Sequence, residues 1–125
     1  MSTILVVDDD ESHRTLLAEL LGDTGYEVLQ AKNGREALDL LEHELPALVL
    51  LDLRMPVMSG WGLLDALRKL PRAASVPILI ISAYGFEWEA ELVGAAGYVS
   101  KPVDMPELLA TVHRLAGPPS AELMH

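Results

Sequence analysis

Four short apolar stretches are spread along the chain, and each ends at polar or charged side chains. They are Ile4–Val7 before Asp8 and Asp9, Leu48–Leu51 before Asp52, Ile78–Ile81 before Ser82, and Tyr98–Val99 before Ser100 and Lys101. Apolar runs without polar alternation are typical of strands buried on both faces of a parallel sheet. The polar residues are therefore expected at the carboxyl ends of neighbouring strands.

Segments with helical periodicity separate these strands. In chain order we predict a strand from Ile4, a helix carrying Leu16, Leu17, Leu20 and Leu21 behind Asp10 or Ser12, a strand over Glu27–Ala31, and a helix that follows Asn33-Gly34 and stops before Pro46. These are followed by a strand over Ala47–Asp52, a helix over about 60–70 and a strand over Val76–Ser82. The last elements are a helix around Phe86–Gly94, a strand over Gly97–Lys101 and a final helix that begins at Asp104-Met-Pro-Glu107. This alternation predicts an α/β fold, a flavodoxin-like (βα)5 domain whose doubly wound parallel five-stranded sheet has the order 2-1-3-4-5.

Length and composition narrow the classes of protein. A chain of 125 residues fits one domain, which we place at residues 1–117, with a tail over 118–125 too short for an output domain. The net charge of -10 argues against direct binding of nucleic acid or of an anionic membrane. The absence of cysteine excludes disulfide frameworks and thiolate metal sites. Without a signal peptide or membrane span, the expected location is cytoplasmic.

The polar strand ends carry the candidate chemistry. In an open α/β sheet they meet in one crevice, so Asp8, Asp9, Asp52, Ser82 and Lys101 should converge there. Carboxylate oxygens suit Mg²⁺, with Mn²⁺ as an alternative, and a carboxylate can attack phosphorus. We therefore expect a site that binds a divalent cation and handles a phosphoryl group.

These motifs resemble a known family when they are taken in order. Asp8-Asp9, then Asp52-Leu-Arg-Met-Pro-Val-Met-Ser-Gly60, then Ser82-Ala83, then Tyr98-Val-Ser-Lys101-Pro102 resemble the receiver domain of two-component response regulators, of the single-domain chemotaxis-regulator type. The resemblance extends from about Thr3 to about Ala116.

The resemblance implies a role for each matching residue. Asp52 would be the phosphoacceptor. Asp9, Asp52 and the backbone carbonyl of Arg54 would bind the metal directly, with Asp8 acting mainly through water. Lys101 would neutralise phosphoryl charge, while Ser82 and Tyr98 would form the conformational switch. The further positions expected to modulate the site are Arg54, Ala83, Tyr84 and Pro102.

Two features lie outside this pattern. The stretch from Ser82 to Lys101 is about three residues shorter than is usual in the family, which predicts a shortened fourth helix. The four histidines, His13, His43, His113 and His125, share neither a spacing nor a predicted face. We interpret them as surface residues of helices rather than metal ligands.

The resemblance implies a phospho-accepting signalling switch, with autophosphorylation and autodephosphorylation, rather than an enzyme. Its expected partners are a sensor histidine kinase or phosphotransfer protein and a downstream effector, and the expected state is a monomer or weak dimer. One alternative is a phosphorylation-independent pseudo-receiver. A Mg²⁺-dependent phosphohydrolase is disfavoured because Arg54 stands where such an enzyme would need a second acid.

Overall fold

The computed structural model describes residues 2–52, 66, 69, 75–82, 95–100 and 102–119. Its elements are β1 (Thr3–Val7), α1 (Glu11–Asp23), β2 (Glu27–Ala31), α2 (Gly34–His43), β3 (Leu48–Asp52), β4 (Ile78–Ser82), β5 (Gly97–Ser100) and α3 (Met105–Ala116). The predicted third and fourth helices, including the shortening of the fourth, fall almost entirely outside the described residues.

The strands form one parallel sheet in the order β2-β1-β3-β4-β5, which confirms the predicted topology. Each of β1 and β3 has two hydrogen-bonded neighbours, and all five residues of each strand are buried. This burial on both faces explains why Ile4–Val7 and Leu48–Leu51 are unbroken apolar runs.

Side chains from alternate strand positions enter two separate cores. Leu5 and Val7 pack on the α2 side, whereas Ile4 and Val6 pack on the side covered by α1 and α3. The helical residues that close the first core are Ala37 and Leu41; those that close the second are Leu17, Leu21, Leu108 and Val112. Leu16, in contrast, is 49% exposed, so only part of the leucine stripe of α1 is buried.

Polar side chains cap the three described helices, and the caps of α1 and α3 lie where the sequence pattern placed the starts of these helices. Asp10, Asn33 and Asp104 precede the three described helices, and each side chain accepts a hydrogen bond from the amide three residues later. Such caps satisfy amides that have no partner inside the helix. The cap at Asp10 has a consequence for the site, because it fixes where α1 begins after β1.

The amino end of the sheet is closed by hydrogen bonds between distant parts of the chain. The Ser2 amide donates to the Pro119 carbonyl at 3.3 Å, and the Ser2 hydroxyl donates to Pro118 at 2.9 Å. The Tyr26 hydroxyl donates to the Gly117 carbonyl at 2.7 Å. Gly117 has a φ of 82°, a conformation that glycine adopts without steric cost. We call this group, Ser2, Tyr26 and residues 117–119, the tied edge.

Candidate functional site

Three carboxylates meet at the opposite end of the sheet. Asp8 follows β1 directly, Asp9 comes next, and Asp52 is the last residue of β3. One oxygen from each of the three lies within 4.8 Å of the others. Asp8 and Asp52 are buried, with 2% and 4% of their surfaces exposed, while Asp9 is exposed. We call these three residues the acid edge.

The parallel pairing of β1 and β3 brings the acids together. Val7 is paired with Leu51, so the next residues, Asp8 and Asp52, lie side by side at the carboxyl end of these strands. In antiparallel strands, two carboxyl ends would lie at opposite edges. The prediction that the acids converge is therefore confirmed for Asp8, Asp9 and Asp52.

Asp8 is held through both its backbone and its side chain. Its amide donates to the Ala31 carbonyl at 3.1 Å, and its carbonyl accepts from Arg14 Nη1 at 2.9 Å. Its Oδ1 accepts from the Asp10 amide at 3.0 Å, and its Oδ2 lies 2.5 Å from His13 Nδ1. Arg14 also donates from Nε to Gln30 at 3.2 Å, which links the end of β1 to β2.

Opposing effects act on the charge of Asp8. Burial raises the pKa of Asp8 above its ordinary value of 3.8, and the nearby charge of Asp52 raises it further. The hydrogen bonds from His13 and from the Asp10 amide act in the opposite direction but do not cancel the effect of burial. The ionised carboxylate is thus held where a second carboxylate repels it, and a cation would relieve that repulsion.

The donor set of the acid edge fits a hard divalent cation. All three side chains offer carboxylate oxygens, which suit Mg²⁺ and Mn²⁺ better than softer metals. Asp8 and Asp52 are buried beside the exposed Asp9, so two of the three carboxylates are shielded and solvent reaches the third. Asp8, Asp9 and Asp52 are the described residues that could hold such an ion.

The remaining predicted site residues are described only in part. Ser82 is the last residue of β4, and its backbone pairs with Ser100 of β5. The residue before it, Ile81, pairs with Asp52 of β3. Tyr98 is half-buried and packs against the core on the α2 side. Pro102 is exposed. The predicted site residues that lie outside the described part of the chain are Arg54, Ala83, Tyr84 and Lys101.

His13 is the residue that sequence reasoning missed. Its side chain is only 22% exposed and contacts Asp8, so it is more than a surface residue of a helix. The available signal was its position, since His13 is the third residue of a helix whose cap, Asp10, lies two residues after Asp8. Side chains at this helical position commonly reach back over the cap.

Sequence comparisons agree with this geometry. Residues 4–113 match the family model of the response regulator receiver domain. The chain is 43% identical over 123 residues to an uncharacterised 14.6 kDa protein from the sodA1 3′ region of Leptolyngbya boryana, with 94% of each chain covered. It is 29% identical over 118 residues to the polar-differentiation response regulator DivK of Brucella anthropi, with 92% of this chain and 96% of DivK covered.

Comparison with solved structures also points to the response regulators. The chemotaxis protein CheY4 of Vibrio cholerae superposes with a TM-score of 0.86 at 35% identity, with 92% of this chain and 98% of CheY4 covered. The response regulator TrrA of Thermotoga maritima, solved in complex with Mg²⁺ and BeF, superposes with a TM-score of 0.82 at 36% identity, with 92% of this chain and 99% of TrrA covered.

In the part of the chain that the structure describes, no helix is both long and apolar enough to cross a membrane.

Proposed function

This chain belongs to the response regulator receiver family, and from that premise we propose that it accepts a phosphoryl group on Asp52 from the phosphohistidine of a kinase or phosphotransfer protein. The observation that carries the proposal is the convergence of Asp8, Asp9 and Asp52 within 4.8 Å at the carboxyl end of the sheet. Receiver domains act in two-component signalling as switches rather than as classical enzymes.

The proposed transfer is a displacement at phosphorus. An Asp52 carboxylate oxygen forms a bond to phosphorus while the bond between phosphorus and the histidine nitrogen breaks, and that nitrogen leaves with the electron pair. When bound at the acid edge, Mg²⁺ would neutralise charge on the phosphoryl oxygens. Mn²⁺ would serve in the same way.

In this proposal Asp9, Asp52 and the Arg54 carbonyl hold the cation directly, and Asp8 acts on it mainly through water. Asp8 and Asp9 both follow β1, and the parallel pairing of β1 with β3 brings them close to Asp52. Their role is to position the cation, while the attacking atom belongs to Asp52 alone.

The other site residues complete the proposal on the family pattern. Lys101 contributes positive charge to the phosphoryl group, and Ser82 and Tyr98 carry the switch that changes the surface offered to an effector. Arg54, Ala83, Tyr84 and Pro102 modulate the site, and Arg54 and Tyr84 influence how readily water reaches the acyl phosphate, which the protein forms with small phosphodonors and hydrolyses itself. The domain would span residues 1–117 with a tail over 118–125. The proposal places this reaction in the cytoplasm, where receiver domains typically act.

Intact-mass measurement after incubation with acetyl phosphate tests this function. We expect a mass gain of one phosphoryl group that requires Mg²⁺, disappears with EDTA, and is absent from Asp52→Asn. Asp39→Asn is the matched control, because Asp39 is an exposed acid on α2 away from the acid edge, and it should be labelled as wild type is.

Two results would contradict the proposal. Labelling that persists in Asp52→Asn would assign the phosphoryl group to another residue. No labelling, together with no detectable binding of Mg²⁺, would instead favour an interaction module that works without phosphorylation.

A further inference from the structure

The contact between His13 and Asp8 points to a role that the family pattern does not assign. We propose that His13 is a positioning residue for the acid edge, which holds the Asp8 carboxylate in the orientation that supports a divalent cation shared with Asp9 and Asp52. The inference rests on the proposed function, because it assumes that these acids hold a cation. His13 itself would touch neither the cation nor the phosphoryl group.

The geometry leaves Asp8 little freedom. His13 Nδ1 lies 2.5 Å from Oδ2, and the Asp10 amide donates to Oδ1 at 3.0 Å, so each carboxylate oxygen has its own partner. The backbone on either side is fixed by the hydrogen bonds to Ala31 and from Arg14. Of these partners, His13 alone fixes Oδ2, and it does so from a side chain that can be exchanged without altering the backbone.

A donor on Oδ2 does not block a cation. A carboxylate oxygen accepts more than one hydrogen bond, so Oδ2 retains capacity for a water molecule or a metal. Without that donor, repulsion from Asp52 and Asp9 would favour rotation of the Asp8 carboxylate away from the shared site. Hydrogen bonds from outer residues to ligating groups typically contribute 10-fold to 100-fold to metal affinity.

The position of His13 on α1 explains why its ring reaches Asp8. Asp10 caps the helix, so His13 is its third residue and its amide donates to the Asp10 side chain at 3.2 Å. This bond holds the backbone of His13 to the cap residue, two positions after Asp8 in the chain. An ionised carboxylate only accepts hydrogen bonds, so Nδ1 must carry the hydrogen that it shares with Asp8.

Two substitutions separate the hydrogen bond from simple packing. His13→Leu keeps an apolar side chain of moderate size but has no donor. His13→Asn places an amide nitrogen at the δ position, where Nδ1 stands, and so keeps a donor for Asp8. His113→Leu is the matched control, because His113 is an exposed histidine on α3.

The experiment measures the affinity for Mn²⁺ by electron paramagnetic resonance, with Mg²⁺ as the competitor, at one fixed pH. We expect His13→Leu to weaken binding about tenfold, His13→Asn to retain most of the affinity, and His113→Leu to bind as wild type does. In an Asp8→Asn background, His13→Leu should have no further effect, because its action passes through Asp8.

A second measurement on the metal-free protein tests the contact itself. An imidazole N–H that donates to a carboxylate gives a downfield proton resonance, which we expect for His13 Nδ1 in wild type and not in His13→Leu or Asp8→Asn. Circular dichroism of each variant establishes that it is folded before either measurement is interpreted.

The possible failures can be told apart. If wild type binds Mn²⁺ and His13→Leu binds it equally well, or if His13→Leu weakens binding to the same extent in the Asp8→Asn background, the positioning role is wrong while the proposed function stands. If wild type binds neither Mn²⁺ nor Mg²⁺, the cation site of the proposed function is wrong and the positioning role falls with it. The downfield resonance would then still report whether the contact exists.

Discussion

Acidic side chains gather at one end of the sheet, whereas the opposite end is closed by hydrogen bonds between distant parts of the chain. At the acid edge, Asp8 and Asp52 are buried beside each other, and burial raises the pKa of Asp8. At the tied edge, Tyr26 and Ser2 donate to carbonyl groups of residues 117–119. The same sheet thus has carboxylates that repel one another at the acid edge and hydrogen-bonded donors and carbonyl groups at the tied edge.

The difference shows that the tied edge contributes stability, whereas the acid edge gives up stability and carries the candidate chemistry. Buried charges that repel one another lower the free energy of unfolding until a cation neutralises them. Hydrogen bonds that close the chain raise it, by about 1 kcal/mol each. Substitutions at the two edges should therefore change stability in opposite directions, and the predictions below test that contrast.

The largest expected effect lies at the tied edge. Tyr26 is 5% exposed and packs in the core beside α1 and α3, so Tyr26→Ala should lower the free energy of unfolding by about 3 kcal/mol. Tyr26→Phe removes only the hydroxyl and should cost about 1 kcal/mol. Urea denaturation measures both values. Equal losses in the two variants would mean that the ring contributes nothing beyond its hydrogen bond to Gly117.

The next effect is the stabilisation of the acid edge by a cation. At a free Mg²⁺ concentration one hundred times the Kd, binding should raise the free energy of unfolding by about 2.7 kcal/mol. Tyr26→Phe should gain the same increment, because its substitution lies at the other edge, whereas Asp8→Asn should gain less. Thermal unfolding with and without Mg²⁺ measures the increment, and an equal gain in Asp8→Asn would separate Asp8 from the cation site.

Removal of one charge should stabilise the metal-free protein. Asp8→Asn keeps an acceptor for the Asp10 amide and removes repulsion from Asp52, so we expect a gain of about 1 kcal/mol near neutral pH. Because burial raises the folded-state pKa above 3.8, wild type loses stability as the pH rises through that pKa. The advantage of Asp8→Asn in urea denaturation should therefore disappear below pH 3.8, and a constant advantage at all pH values would contradict the electrostatic cause. Asp39→Asn serves as the exposed control.

The smallest effect is expected at Ser2. Its hydroxyl donates to Pro118 in an exposed position, so Ser2→Ala should lower the free energy of unfolding by less than about 0.5 kcal/mol. A loss as large as that of Tyr26→Phe would show that the Ser2 hydroxyl holds residues 117–119 as firmly as the buried Tyr26 does. Urea denaturation of the two variants side by side makes that comparison.

The strands and the acid edge could be predicted because both follow from local pattern, whereas the strand order was taken from the doubly wound fold class that the alternation of strands and helices predicts. Apolar runs gave the strands, and the rule that carboxyl ends of parallel strands share one edge brought Asp8 and Asp52 together. One strand boundary differs from the prediction: β4 begins at Ile78 rather than Val76, because Pro77 before it has no amide hydrogen to donate. Only its carbonyl joins the ladder, through the Val49 amide.

The contacts made by His13 and Tyr26 depend on side-chain orientation and tertiary packing, which the sequence pattern does not contain. His13 occupies the third position of α1, from which a side chain can reach back over the cap, but the pattern does not specify whether the ring turns towards Asp8 or towards solvent. The hydrogen bond between Tyr26 and Gly117 joins residues 91 positions apart, so only the packed tertiary structure brings them together. The roles of Lys101, Ser82 and Arg54 remain predictions from the family pattern.

The hydrogen bond between Ser2 and Pro119 has a practical consequence for protein engineering. It places these two residues side by side, while β1 separates Ser2 from Asp8 by about 20 Å at the usual rise per strand residue. A fluorescent reporter or affinity handle fused just outside either residue would lie at the tied edge, far from the three acids of the acid edge. A short peptide that joins Ser2 to Pro119 would likewise allow the chain to be circularly permuted without crossing the cation site.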